Sequence, residues 1–422
     1  MRWLLTKKKL LLLLTAVFLL IAWNRSINLL YGMFSLLSAT LILAHVVPRT
    51  SLQGIATTRT LPSRAFEGDE IDVTVSLRNS RRMSRYMIEV VDCVPVAEPG
   101  LQYPMTFIAK IPGRKQREYS FKIVCDLRGE HLIGPVTLRS AYPLGISSVE
   151  RAQPETTRTL LVYPRTFDIA TFPLRGGQHA RSGGGETFSR EGGSDEFFGT
   201  REYRAGDSLK TIHWPSTAKH AQLIVKEFEM RAHTEATILI DLHKDSACGK
   251  GKESSLEYAV KIAASLAGHI LARGHSLQLI GYGKEPWVVS YAKGMMQNAA
   301  ILEALARVKA DGNIPFPQAI SRSGDLLRDG GTVILLFTHV QRETHWGLDD
   351  YLHGLSLLRV KRLTPIPVFI DGESFLDTKI SLRHTTQNAR NGWDALVQRF
   401  IHEGARPYFV SKGDDLEAVF SS

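Results

Sequence analysis

The chain has 422 residues, three cysteines and a formal net charge of +10 at neutral pH. Three cysteines in a chain of this length argue against a disulfide scaffold and agree with a reducing compartment. Residues 1–50 hold six basic and no acidic residues, which leaves only +4 for the rest, and no basic stripe interleaved with aromatic residues follows. The charge therefore indicates flanks of a membrane segment and argues against a nucleic-acid partner.

Two apolar segments open the chain, at residues 10–23 and 27–47, and neither contains an acidic residue. The second segment has the length of a bilayer-crossing helix, whereas the first is short unless tilt or local thinning extends it. We predict a transmembrane helical hairpin over residues 1–50. A signal peptide is the alternative for the first segment, because a basic start precedes an apolar run, although no small-x-small cleavage site follows Trp23.

The basic residues around these segments are distributed unevenly. Only Arg25 lies in the turn between the segments, while the outer ends carry Arg2, Lys7, Lys8, Lys9 and Arg49. The positive-inside bias then places both ends of the hairpin, and the remaining chain, in the cytoplasm.

Alternating apolar and polar residues begin after Pro48 and indicate half-buried strands. The pattern predicts strands at residues 71–77, 87–91, 119–125, 136–138 and 159–163. Short strands separated by Pro, Gly and Asn are typical of an antiparallel, immunoglobulin-like β-sandwich, which we expect over residues 51–165. This domain shows no acid, base or nucleophile cluster, so contact with a partner or membrane surface and a spacer role stay open. Arg81, Arg82 and Arg85 are interpreted as a solvated turn.

A connector that contains a segment dense in charged and aromatic residues is predicted over residues 166–234. Residues 175–199 contain eight glycines, as expected for a mobile connection or a wrapped loop. Neither this stretch nor residues 249–252 forms the phosphate-binding loop G-x-x-x-x-G-K-[ST]. ATP binding by this chain is therefore not expected.

Strand and helix patterns alternate over residues 235–422 and predict an α/β domain with a mostly parallel sheet. Strands are predicted at residues 236–241, 276–282, 332–337, 365–370 and 407–410, and helices at 256–271, 298–308, 349–360 and 393–402. Ligands of such sheets lie beyond the carboxyl ends of the strands. This rule draws attention to Asp241 and the residues after it, and to Thr338 and His339.

One segment ahead of this domain is dense in charged and aromatic residues. From Glu196 to Trp214 it reads E-F-x-G-x-R-E-Y-x-x-G-D-x-x-x-x-I-H-W. With residues 128–135, 143–145 and 162–164, it resembles the bacterial "domain of unknown function 58" family. The resemblance implies a bacterial inner-membrane protein with a membrane hairpin, a β-domain and a von Willebrand factor A-like, Rossmann-like domain, usually encoded beside a MoxR-type AAA+ ATPase. It brings no chemical activity with it.

The polar residues of this signature are interpreted as an Arg-carboxylate network that holds the signature loop, with direct catalysis as the alternative. Trp214 is interpreted as a packing anchor. The residues assigned to partner binding or to the structure of the signature are Arg201, Glu202, Tyr203, Gly206, Asp207, His213 and Trp214.

Von Willebrand A-like domains often hold Mg²⁺ through D-x-S-x-S after the first strand, because a hard cation prefers carboxylate, hydroxyl and water oxygens. This chain keeps Asp241 but has His243 and Asp245 at the two serine positions. Asp241, Asp245 and Ser246 are the candidate ligands of a degenerate site, and the interpretation without any metal or other cofactor is preferred. Asp241 and His243 are also candidates for partner contact.

These patterns predict a non-enzymatic, membrane-anchored adaptor that presents a protein-binding face to a partner, in complex assembly or envelope maintenance. The family resemblance implies that the partner is a MoxR-type ATPase. No small-molecule substrate is indicated. The alternative is a metal-dependent hydrolase or transferase in cell-envelope construction. Cys248 lies near His243 in sequence, but one cysteine and one histidine are a weak signal for a nucleophile.

Overall fold

The structure is a computed structural model of the chain. It describes residues 2–25, 27–97, 103–174, 197–204, 207–228, 234–339, 348–376 and 387–421. The chain divides into two compact units. The first comprises Met1–Thr166, Lys250–Lys252 and Leu302–Val308, and the second comprises Phe167–Gly249, Glu253–Ile301 and Lys309–Ser422.

Two helices in contact with each other open the first unit, α1 (Arg2–Arg25) and α2 (Asn28–Ser51). Among the described residues, only α2 is long and apolar enough to cross a membrane. Lys7, Lys8 and Lys9 lie within α1 and interrupt its apolar run. The prediction of a membrane-crossing segment is thus supported for α2, whereas a first span and the cytoplasmic orientation stay predictions.

Ten strands follow α2 among the described residues of the first unit, and they form three small sheets with the orders β1-β3-β6, β2-β10-β7 and β5-β4-β8-β9. Their bounds are β1 (Ile55–Thr60), β2 (Arg64–Phe66), β3 (Glu70–Asn79), β4 (Arg85–Val91), β5 (Met105–Ile111), β6 (Gln116–Val124), β7 (Gly129–Ile133), β8 (Val136–Ser140), β9 (Val149–Gln153) and β10 (Arg158–Tyr163). The five predicted strands correspond to β3, β4, β6, β8 and β10 and are confirmed. The described pairings are antiparallel except for β2 with β10, which is parallel.

The core of these sheets explains both the successful and the missed predictions. Val73, Val75 and Leu77 of β3 are fully buried, as their alternation predicts. β1 instead turns Thr57 and Arg59 inward, so its inward face carries no clear apolar signal. The Arg59 guanidinium forms a buried ion pair with the Asp92 carboxylate, which satisfies part of the charge that β1 places in the core.

The second unit begins with a small antiparallel pair, β11 (Phe197–Glu202) and β12 (Ile224–Phe228), with the short helix α3 (Trp214–His220) between them. Further along the chain come β13 (Glu235–Ile240), β14 (Gly249–Lys250), β15 (Glu253–Ser254), α4 (Ser255–Ala272), β16 (Ser276–Tyr282), β17 (Pro286–Ala292), α5 (Gly294–Arg307), α6 (Phe316–Arg322), β18 (Thr332–His339), α7 (Leu348–Val360), β19 (Thr364–Asp371), α8 (Gln387–His402), β20 (Tyr408–Val410) and α9 (Leu416–Ser421). We call residues 197–228 the signature segment.

A six-stranded sheet with the order β17-β16-β13-β18-β19-β20 forms the centre of the second unit. Its described neighbours run parallel except β17, an antiparallel edge strand after β16. The prediction of a mostly parallel sheet is confirmed. β17 was not predicted: its alternating exposure departs from the strand–helix alternation that predicts a parallel sheet.

Aromatic packing stabilises this sheet. The Phe337 ring, 1% exposed, lies 4.9 Å from the Phe316 ring, 5.0 Å from the Phe369 ring and 5.8 Å from the Phe400 ring, centroid to centroid. The strands read as continuous apolar runs because both faces of the sheet are buried. Their carboxyl ends meet at one edge, where Asp241 follows β13 and Thr338 and His339 close β18.

Candidate functional site

The carboxyl edge of the six-stranded sheet holds a buried carboxyl group, that of Asp241, which is 8% exposed. Its backbone N–H donates to the Leu336 carbonyl at 3.2 Å, which fixes it against β18. Its Oδ1 accepts the His243 backbone N–H at 3.0 Å, and the Thr338 backbone and the Ser246 hydroxyl also hydrogen bond to this carboxyl group. The side chain is therefore used to shape the chain that follows β13.

The ionisation of Asp241 reflects its burial. Loss of solvation raises the pKa of its carboxyl group from 3.8 to about 7, although the hydrogen bonds from His243, Ser246 and Thr338 act in the opposite direction. Burial of a carboxylate among neutral hydrogen-bond donors is expected to act in this way. This carboxyl group therefore keeps its proton to a higher pH than an exposed aspartate does.

Residues 241–246 form a braced loop beyond β13, which we call the strand-end loop. The Gly312 N–H donates to the Leu242 carbonyl, and the Lys244 N–H donates to the Gly312 carbonyl, both at 2.9 Å. A Cβ atom on Gly312 would come 2.2 Å from the Tyr282 carbonyl oxygen, so only glycine fits at this position beside the end of β16. The brace holds Lys244 and Asp245 in exposed positions.

The other candidate residues of this loop lie close together in different environments. The His243 Nδ1 accepts the Asp245 N–H at 3.3 Å and lies 3.8 Å from the Asp245 carboxylate. The Asp245 side chain is 54% exposed. The Ser246 hydroxyl donates to the His243 carbonyl at 2.7 Å. Because a hydroxyl has one proton, it serves either this carbonyl or the Asp241 carboxylate at one time.

The donors of the strand-end loop do not fit a Mg²⁺ cage. Among the described residues, no group of three or more His, Cys, Asp or Glu side chains is arranged to hold a metal ion. The Asp241 carboxylate and the Ser246 hydroxyl are already engaged in hydrogen bonds, and the Asp245 side chain is more than half exposed. Mg²⁺ requires a near-octahedral set of six oxygens, bound waters included.

Two residues at this edge had no signal in the sequence analysis. Tyr351 of α7 packs on Phe337 with ring centroids 5.8 Å apart. Burial first, and then the negative charge of Asp241, raise the pKa of the Tyr351 hydroxyl. Gly312 is the other: the turn sequence Asp311-Gly312-Asn313 marks a turn, but it does not show that this turn contacts the strand-end loop.

Cys248, considered above as a nucleophile, is buried and not in a disulfide. Its backbone N–H donates to the Ser255 hydroxyl at 2.9 Å, and the Ser255 N–H donates back to the Cys248 carbonyl at 2.8 Å. These bonds join the strand-end region to the first turn of α4. A buried thiol in such a place suits packing better than attack on a substrate.

A bidentate ion pair organises the signature segment. The Arg201 Nη1 and Nη2 donate to the two Asp207 carboxylate oxygens, both at 2.7 Å, and the Arg204 N–H donates to the same carboxylate at 2.8 Å. The hydrogen bond from Arg201 is the largest cause that lowers the pKa of Asp207 from 3.8 to about 2. The pair links β11 to Asp207, and the Arg201 Nη1 also donates to the backbone carbonyl of the exposed Glu202 at 3.1 Å.

The remaining signature residues join β11, α3 and β12. The Tyr203 N–H donates to the Leu223 carbonyl, and the His213 N–H donates to the Ile224 carbonyl, both at 2.8 Å. The His213 Nδ1 lies 2.7 Å from the Ser216 hydroxyl. Trp214 is 66% exposed, which does not agree with a packing anchor in the described structure. Gly206 and residues 175–196 of the Gly-rich stretch lie outside the described residues.

These observations define a mixed α/β protein with one apolar N-terminal helix, a mostly parallel sheet and a braced polar loop at its carboxyl edge. Residues 199–362 match the family described as "Protein of unknown function DUF58". This match covers about two fifths of the chain and confirms the resemblance of the signature to this family.

A relative and two solved structures add little to this assignment. The "Uncharacterized protein YeaD" of Bacillus subtilis is 24% identical over 252 residues, which are 59% of this chain and 61% of that protein. The CARDB domain of a Pyrococcus furiosus protein, solved with di-metal ions, has a TM-score of 0.18 and 8% identity over 26% of this chain and 91% of that one. A Listeria innocua β-glucosidase with glucose has a TM-score of 0.17 and 12% identity over 26% of this chain and 16% of that one. Scores this low carry no argument.

Proposed function

We propose that this protein is a non-enzymatic, membrane-anchored adaptor whose strand-end loop binds a protein partner, a MoxR-type AAA+ ATPase. In this proposal the partner hydrolyses ATP, and this chain supplies the location at the membrane and the contact with the client, in complex assembly or envelope maintenance. The partner class comes from the family resemblance and is tested below.

The observation that carries the proposal is how the strand-end loop uses its polar groups. The Asp241 carboxyl group is engaged by the His243 N–H and by further internal hydrogen bonds. Gly312 holds the loop by backbone hydrogen bonds to Leu242 and Lys244, and the charged residues Lys244 and Asp245 are exposed. Rigid presentation of charges with opposite sign favours recognition of a partner over chemistry on a substrate.

The finer fold assignments belong to the same proposal. We take the second unit as von Willebrand A-like, with the strand-end loop at the position of its usual metal-binding loop, and the strands of the first unit as an immunoglobulin-like sandwich. The anchor is a helical hairpin in the inner membrane, with both units in the cytoplasm. The apolar length of α2 supports the anchor, and the excess of flanking basic residues supports the orientation.

A charge-reversal pair tests the adaptor. Asp245→Lys changes the strand-end loop, and the matched control Asp329→Lys changes an exposed carboxylate just before β18, at the opposite, amino end of the sheet. Each tagged full-length chain is purified from solubilised membranes, with and without ATP and Mg²⁺, and captured proteins are identified by mass spectrometry.

The proposal expects stoichiometric recovery of an AAA+ ATPase with the wild type and with Asp329→Lys, and its loss with Asp245→Lys. Recovery that is equal for both variants overturns the assignment of the strand-end loop. Absence of any ATPase with the wild type overturns the adaptor itself. Turnover of a substrate that needs a bound metal and is abolished by Asp241→Ala would favour the hydrolase or transferase alternative.

A further inference from the structure

Two loops of the first unit lie against the end of α2. The Ser80 N–H and hydroxyl donate to the Gly54 carbonyl at 2.8 and 2.7 Å, just after α2 ends. The Arg85 Nη2 donates to the Gln53 carbonyl at 3.1 Å. A second loop joins the first, since the Arg114 N–H donates to the Arg81 carbonyl at 2.9 Å. Residues 80–85 and 112–115 are therefore held at the point where the chain leaves α2.

Basic residues are concentrated at this point, and the sequence around them contains no acidic residues over three segments. The segments 49–66, 73–88 and 99–117 contain no Asp or Glu. The exposed basic residues of these segments include Arg49, Arg81, Arg82, Arg114 and Lys115. Burial first, and then the neighbouring Arg81, lower the pKa of the Arg85 guanidinium. Burial and a neighbouring cation both disfavour the charged guanidinium.

Apolar and aromatic side chains accompany these charges. Met83, between the arginines of its loop, is 75% exposed. The Tyr86 and Tyr142 rings stack with centroids 5.5 Å apart, and the Lys110 ammonium lies 5.6 Å from the Tyr86 centroid. Tyr142 follows β8, a strand that contacts α2. Tyrosines and basic residues beside the end of an apolar helix are typical of the membrane–water interface.

We infer that this end of the first unit, the juxtamembrane patch (residues 80–86, 112–115 and 142), rests on the anionic phospholipid headgroups of the bilayer that α2 crosses. The inference depends on the proposed membrane anchor. The patch extends the solvated-turn interpretation of Arg81, Arg82 and Arg85, because the backbone bonds to residues 53 and 54 hold these arginines beside the membrane. Contact with the bilayer then fixes the height and tilt of the β-sheets above it.

A soluble polyanion would satisfy the same charges, but the chain itself favours the lipid. The patch is attached to the end of α2 by three hydrogen bonds to residues 53 and 54. When α2 spans the bilayer, its basic end lies within a Debye length of the surface, where anionic lipids attract it.

Two exposed methionines provide a matched pair of probes. Met83 lies in the patch, and Met105, 66% exposed, pairs with Val91 at the end of β4 opposite Arg85. Each is replaced by the photoreactive benzoylphenylalanine in the full-length chain. The chain is reconstituted into nanodiscs of phosphatidylcholine alone or mixed with phosphatidylglycerol, and lipid adducts are counted by mass spectrometry.

The expected result is lipid adducts at position 83 that exceed those at position 105 and rise several-fold with phosphatidylglycerol. Arg82→Gln in the position-83 chain lowers this gain by about fivefold, the effect of one basic residue near an anionic surface. Lys122→Gln is the control for charge. Lys122 lies opposite Asp72 in the pairing of β6 with β3, near the end of β3 that is farther from Asn79, so its replacement leaves the gain unchanged. Higher salt reduces the gain.

Each failure has its own signature. A chain that enters the nanodiscs but gives equal adducts at positions 83 and 105, or no response to phosphatidylglycerol, overturns the patch and leaves the anchor intact. Adducts to protein or nucleic acid in place of lipid overturn the patch as well. A chain that does not enter the nanodiscs overturns the anchor, and the patch with it.

Discussion

The buried carboxyl group of Asp241 makes stability depend on pH in a direction opposite to that of an ordinary ion-paired carboxylate. Its pKa is about 7 in the folded chain, against an ordinary value of 3.8. Between these values the folded state binds more protons than the unfolded state. Stability contributed by this group is therefore complete below about pH 4 and falls as the pH rises through 7.

The size of the effect follows from the two pKa values. Proton linkage with pKa values of 3.8 and about 7 gives a loss of stability between pH 5 and pH 8 of roughly 2–3 kcal/mol. Asp241→Asn removes the ionisation and keeps an oxygen that accepts the His243 N–H. The amide cannot accept the Thr338 N–H through its nitrogen, but this cost is the same at every pH.

Thermal unfolding of the detergent-solubilised full-length chain measures the difference. We expect the melting temperature of the second unit in Asp241→Asn to rise relative to the wild type by about 5–10 °C between pH 5 and pH 8. Asp371→Asn is the matched control, because Asp371 also ends a parallel strand and its Oδ1 accepts a backbone N–H, that of Glu373, at 3.0 Å. A separation that does not change with pH, or one that Asp371→Asn reproduces, would refute the reasoning.

Three further substitutions test other parts of the account. Arg201→Lys keeps the charge but loses the bidentate geometry, so limited proteolysis should cut the signature segment faster, and cleavage at the wild-type rate would contradict the role of the pair. Gly312→Ala should destabilise the chain, because its Cβ atom would lie 2.2 Å from the Tyr282 carbonyl oxygen. Gly268→Ala is the control: its Cβ atom would meet open space in α4, and it should stabilise the chain by about 0.5–1 kcal/mol. Equal effects of the two substitutions in denaturant titrations would contradict the brace at Gly312. Phe337→Ala should cost about 3–5 kcal/mol and Phe409→Ala, at a site 53% exposed, much less.

The sequence patterns predicted the parallel sheet well for a physical reason. Strands buried on both faces are continuous apolar runs, and the helices between them repeat apolar residues at helical spacing, so β13, β16, β18 and β19 were each found close to their observed bounds. The first unit was predicted less completely. β1 places Arg59 in the core, and pairing with Asp92, which lies 33 residues away, makes that possible; no local pattern reveals such a partner.

The candidate site divides in the same way. The position of Asp241 followed from the rule that ligands lie at the carboxyl ends of parallel strands. Its hydrogen bonds to Thr338 and the approach of Tyr351 depend on tertiary contacts. The ion pair of Arg201 with Asp207 joins residues only six positions apart, so the signature itself was enough to suggest it. The prediction that Trp214 is a packing anchor was wrong, since its side chain is exposed. A large aromatic residue in a dense motif resembles a core residue in sequence.

The most direct test of the adaptor is photocrosslinking in living cells from the strand-end loop. Benzoylphenylalanine at position 245 of the full-length chain lies on the exposed side of the loop, and the same residue at position 329 is the control at the opposite edge of the sheet. The account predicts a crosslink from position 245 to an AAA+ ATPase and none from position 329. An ATPase crosslink of equal strength from both positions, or none from position 245 in cells that express the ATPase, would contradict it.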